Sequence, residues 1–161
     1  MSSVHSFLSL GALLLISLIS LRFNSAVLEN STIETENKVY LTAFSLANDL
    51  IEEIKMKAFD AATVKFPTTD PSVLTSPYSL GHADYEVYPN FNDIDDFNDY
   101  SRTIDAPHAE NYSVRCNVYY VSEYNPDYKV MTQTFYKRVD VTVLNPYMKN
   151  NILLSFIFTL K

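Results

Sequence analysis

The chain has 161 residues, 47% hydrophobic and 19% charged, which suffices for one packed domain plus an extension and is too apolar for general disorder. A formal net charge of −7 without a clustered basic stripe excludes the counterion-displacing surface that nucleic-acid binding needs. Two glycines exclude Gly-rich phosphate loops, and a single cysteine, Cys116, excludes an intramolecular disulfide and reads as a small buried hydrophobe.

Residues 7–21, FLSLGALLLISLISL, form a 15-residue run without a charge. As a helix this run covers about 22 Å, and its apolar flanks bring it close to the ~30 Å hydrocarbon core of a bilayer. Two readings follow. In one, residues 1–26 are a signal peptide with Asn24, Ser25 and Ala26 as a weak cleavage site. In the other they are a retained anchor. No Lys or Arg precedes the run, and Arg22 lies between it and that site, so the retained anchor is expected.

Residues 27–60 form the second segment, and no Pro or Gly occurs in it. Leu41, Phe44, Ala47, Leu50, Ile51 and Ile54 recur at three- and four-residue steps, the mark of one buried helix face. They are the expected contacts between this stem and a globular head. Asn30 or Ser31, with Glu34 completing a capping-box pattern, offers a helix start. Without that break, one helix runs through from the anchor.

Residues 61–161 make the head. Pro67, Pro71 and Pro77 mark a loop over residues 66–81. Alternation then predicts strands over 112–120, 135–144 and 152–160, with a shorter one over 84–88. Tyr112, Val114, Cys116, Val118 and Tyr120 share one face, as do Val139, Val141 and Val143. Turns are expected at Asn125-Pro126-Asp127 and after Asn145-Pro146, short enough for an antiparallel meander. A sheet with one apolar face needs a cover, and the stem supplies it. The expected fold is α+β: a long N-terminal helix, apolar anchor plus amphipathic stem, on an antiparallel head of three to four strands.

Asp93, Asp95, Asp96, Asn98 and Asp99 are the conspicuous polar cluster. They are hard oxygen donors of the kind that bind Ca²⁺, although Phe97 and Tyr100 break an EF-hand register. Phe91, Ile94, Phe97 and Tyr100 give the same segment a packing role. His5, His82 and His108 are solitary, and no strained Gly-x-Ser-x-Gly elbow occurs. No catalytic role is expected, and no cofactor beyond the candidate Ca²⁺. Tyr119, Tyr120, Tyr124 and Tyr128 suggest an aromatic surface for a partner or ligand.

Together these parts resemble the layout of type IV pilins and pseudopilins. LANDLIEEIKMKAFD (46–60) is similar to the end of the first helix in minor-pilin-like proteins of the mannose-sensitive haemagglutinin pilus type. NFNDIDDFNDYS (90–101) resembles the Asp-Asp-hydrophobic-Asp-Asp-Tyr motif of that group, and YKRVDVTVLNP (136–146) its last hairpin. The three segments come in the family's order. The N-terminus departs from the family pattern: Gly11 is followed by Ala12, and no acidic residue precedes Glu29. The resemblance implies a structural subunit of a bacterial envelope filament or of a secretion or adhesion apparatus. Its partners would be other pilin-like subunits and the inner membrane, crossed once, with the head in the periplasm or on the cell surface. A secreted or periplasmic monomer, binding through its Tyr-rich sheet after loss of residues 1–26, is the alternative.

Overall fold

The computed structural model describes residues 2–160 and has the expected α+β architecture. One uninterrupted helix, α1 (Ser2–Lys55), precedes five strands: β1 (Tyr100–Ala106), β2 (Ala109–Ser122), β3 (Asn125–Lys129), β4 (Tyr136–Leu144) and β5 (Ile152–Thr159). No break occurs at Asn30 or Ser31, because with no Pro or Gly between residues 12 and 66 nothing opposes helix propagation there. The chain divides into two compact units, one ending at Lys38 and the other beginning at Val39.

In the second unit the strands pair antiparallel in the order β1-β2-β4-β5, with β3 on β2. Val114 faces Val143, Cys116 faces Val141 and Val118 faces Val139 across β2 and β4, while Val141 faces Leu154 across β4 and β5. The inward residues are those that period two selected: Tyr112, Val114, Cys116, Val118, Tyr120, Val139, Val141 and Val143 are all buried. Cys116 sits among them as a small apolar group, and burial pushes its thiol pKa upward.

The sheet is covered by the C-terminal part of α1. Ala47, Leu50, Ile51 and Ile54 are buried there, whereas Leu41 and Phe44 are 69% and 49% exposed. The buried stripe starts instead at Val39 and passes through Ala43, in steps of four and three. Leu41 lies roughly 160° around the helix from Val39, given 3.6 residues per turn. Ala43 and Ala47, both fully buried, each present only a methyl group to the core.

Two local expectations are corrected. Residues 84–88 form no strand: successive turns, closed by Glu86 N–H to Ala83 O and Asn90 N–H to Val87 O, divert the backbone donors that a ladder would need. The turn expected at Asn125-Pro126-Asp127 falls earlier, at Glu123 and Tyr124, and those three residues open β3. Proline is tolerated because β3 is short and irregularly paired, so the missing N–H costs no regular ladder bond. Besides β3, the strand that was not expected is β1, which starts directly after the acidic segment.

Candidate functional site

Two features stand out, one in each unit. In the first unit α1 exposes Val4, Phe7, Leu8, Leu10, Leu13 and further apolar side chains through Leu28. It is the one helix among the described residues long and apolar enough to cross a membrane, a property shared by membrane anchors and cleaved signal sequences. Its hydroxyls are consistent with an apolar setting. Ser9, Ser17 and Ser25 each donate to the carbonyl four residues earlier, on His5, Leu13 and Leu21, at 2.8–2.9 Å. The hydroxyl proton is thereby satisfied within the helix, without water. A surface this apolar needs lipid or another helix to cover it.

The second feature is a cluster of charged groups inside the head. It forms where α1 ends. Met56 N–H and Lys57 N–H close a tight last turn onto Glu53 and Ile54, after which Ala58 bonds Asn92 O and accepts from Ile94 N–H. Lys57 Nζ donates to Phe91 O at 2.6 Å. The helix exit and the acidic segment are thus pinned side by side.

Asp60 follows as the cap of a 3-10 turn, Ala61–Thr63. Its carboxylate accepts hydrogen bonds from Ala62 N–H, from the N–H and hydroxyl of Thr75, and from Lys137 Nζ at 2.7 Å. The Tyr120 hydroxyl lies 3.1 Å from Asp60 Oδ2 and 2.8 Å from Thr75 O. Burial alone would raise the Asp60 pKa, but the Lys137 charge and these donors outweigh it and hold the carboxyl below its usual range.

Lys137, on β4, is fully buried. Its ammonium donates to Phe59 O at 2.9 Å, lies over the rings of Phe59 and Tyr120, and touches Asp95 Oδ1 at 2.5 Å. Asp95 is 2% exposed, and its Oδ2 has no hydrogen-bond partner among the described residues. Burial, against the pull of Lys137, pushes the Asp95 pKa up to about 7. Burial and the Asp96 charge together push Asp93 up to about 6. Two buried carboxyls therefore touch one ammonium, and a third, Asp93, lies within reach of its charge, in a medium where uncompensated charge is costly.

The five residues put forward as Ca²⁺ ligands are committed differently. Asp93 Oδ1 accepts from Asp95 N–H at 2.7 Å, and Asp96 Oδ2 accepts from Asn92 N–H at 2.8 Å. Asn98 bridges Val118 N–H and Leu80 O, Asp99 is exposed on a residue with positive φ, and Asp95 meets Lys137. Among the described residues no group of three or more His, Cys, Asp and Glu is placed to hold a metal ion. The ammonium that meets Asp95 is that of Lys137. Its aromatic residues do pack: Phe91, Ile94 and Phe97 are buried, and the Phe91 and Phe97 rings meet edge to face at 5.0 Å.

Sequence reasoning missed both ends of the central ion pair. Lys137 carried a usable signal, since by period two it shares the Val139, Val141 and Val143 face, where a charge needs an internal partner. Asp60 carried none that pointed inward. The tyrosine surface also divides: Tyr124 and Tyr128 are exposed, Tyr119 donates to Asp140 Oδ2 at 2.7 Å, and Tyr120 is in the core.

The class these features define is an α+β protein with a long, N-terminally apolar helix whose C-terminal part covers an antiparallel sheet. No protein-family model, curated protein or solved structure matches the chain.

Proposed function

We propose that this protein is a non-catalytic, pilin-like structural subunit of a bacterial envelope filament or of a secretion or adhesion apparatus. The observation that carries the reading is a single helix with two environments: exposed and apolar through Leu28, and from Val39 onward sharing the core of a compact head. A membrane-held subunit needs the first property, and a folded head that takes the end of the same helix into its core needs the second. The apolar surface then contacts lipid before assembly and neighbouring helices after it. In this reading the protein crosses the bacterial inner membrane once, with its head in the periplasm or on the cell surface.

Site-specific cross-linking in the native host tests it. Cys116 is fully buried, so a cysteine introduced as Leu14→Cys or Leu21→Cys is the only accessible thiol in each variant. Mild oxidation of whole cells is expected to give disulfide-linked homo- or hetero-oligomers in the membrane or sheared-filament fraction. Recovery of a soluble monomer beginning near Val27 would overturn the proposal and favour the exported binding module.

A further inference from the structure

Lys137 is a buried primary amine pressed against two carboxyl groups, and the proposed subunit role makes no use of it. Several features set this arrangement apart from a stabilising salt bridge. One acid, Asp60, is fully engaged by backbone and hydroxyl donors. The other, Asp95, is equally buried, touches the ammonium with Oδ1, and leaves Oδ2 without a donor. In water an amine and a carboxylic acid stay apart mainly because their ions are so well hydrated. Inside a protein that hydration is gone, and the neutral condensed product is favoured relative to the ion pair.

We propose that Lys137 Nζ and Asp95 Cγ condense spontaneously into an amide, a side-chain cross-link between β4 and the segment leading into β1, with Asp60 transferring the protons. Asp60 Oδ2, 2.7 Å from Nζ, takes one proton from the ammonium. The freed nitrogen lone pair attacks Cγ of Asp95 in its protonated form, a form made accessible by a pKa near 7. The Cγ–O bond to the hydroxyl breaks as that oxygen takes a second proton from nitrogen, relayed by Asp60, and water leaves. The ammonium's three hydrogens end on the amide nitrogen, in the water and on Asp60. No oxidant, metal or other reactant is needed. A cleft of about 760 Å³, lined in part by Asp93, Asp95 and Asp96, gives the water an exit. The rings of Phe59 and Tyr120 flank Nζ and keep bulk water from its other side.

The product removes a buried ammonium and the partnerless carboxylate oxygen together. It also gives a head without a disulfide one covalent tie across its core. Formation needs the folded state, since only there do the three groups meet.

Intact-mass spectrometry of the full chain, purified in detergent from cells, is the test. The wild-type mass is expected about 18 Da below that of its polypeptide, corresponding to one lost water. A digest should yield a branched peptide joining Asp95 to Lys137, and the Lys137→Arg chain should keep its full mass. Any of three results overturns the proposal: a folded wild-type chain at full mass, a water loss that maps to other residues, or the same loss in Lys137→Arg. Mass is read independently of membrane retention and assembly, so this outcome is separate from that of the subunit reading.

Discussion

On the outer face of the sheet, Asp140 gathers three donors. Its Oδ1 accepts from Arg138 Nε at 2.8 Å and from Ser155 Oγ at 2.6 Å, and Oδ2 accepts from the Tyr119 hydroxyl. Burial by itself would raise the pKa, but the Ser155, Tyr119 and Arg138 hydrogen bonds prevail and hold it below the usual carboxylate value. A folded-state pKa below the unfolded one contributes stability that is present above about pH 4 and lost as pH falls through the folded value. Asp140→Asn should therefore cost about 1–2 kcal/mol at pH 7 and progressively less toward pH 2. Denaturant melts at the two pH values check this; an equal penalty at both would rule out charge as its source. Asp93 has the opposite sign. Its pKa is pushed up to about 6, so the folded state holds a proton that the unfolded state has lost, and stability falls as pH rises through that window. Asp93→Asn keeps an acceptor for Asp95 N–H and removes the charge. It should stabilise the chain by roughly 1–2 kcal/mol at pH 8 and by nothing at pH 4, as read from melts at each pH.

At the scale of single elements, the stripe on α1 separates residues that look alike in sequence. Ile54 is fully buried against the sheet, and Leu41 is 69% exposed. Ile54→Ala should cost about 2–4 kcal/mol of head stability, whereas Leu41→Ala should stay within about 0.5 kcal/mol. Urea titration of the full-length chain in detergent, followed by near-UV dichroism of the tyrosine-rich head, distinguishes them. A large loss from Leu41→Ala would mean that the face running through Leu41 and Phe44 is the one against the sheet. Strand β2 shows how one element carries two duties. Its inward face supplies Tyr112 through Tyr120 to the core, and its outward Tyr119 joins the Asp140 network.

For the whole molecule, the decisive property is an apolar helical surface that the chain's own fold leaves uncovered. Placing lysines in it, as Leu14→Lys with Leu18→Lys, adds about 2.5–3.5 kcal/mol per residue to the cost of membrane insertion. The doubly substituted protein is expected in the soluble or aggregated fraction after alkaline extraction of membranes, while the wild type stays with the bilayer. The substitutions lie in the unit ending at Lys38, so the head should keep its dichroism. Retention of the double variant in membranes would show that the helix is not what holds the protein there.

Periodicity alone determined the main elements. A long stretch without Pro or Gly propagates as a helix, and strict alternation places Val114, Cys116, Val118, Val139, Val141 and Val143 on one face whatever lies around them. The extent of the sheet was less legible. β1 follows a run of acidic residues that reads as loop, and its pairing with β2 is a long-range choice. The helix face could be read only to within one flank, because Leu41 and Phe44 are as apolar as their buried neighbours, and only contact with the sheet selects among them. The acidic segment was visible as charge but not as chemistry. Oxygen donors close in sequence suggest a metal, and the fold answered with a lysine from a strand some forty residues further on. That meeting of Asp60, Asp95 and Lys137 belongs to the tertiary structure, because no local pattern records which distant charge will be brought to compensate a buried one.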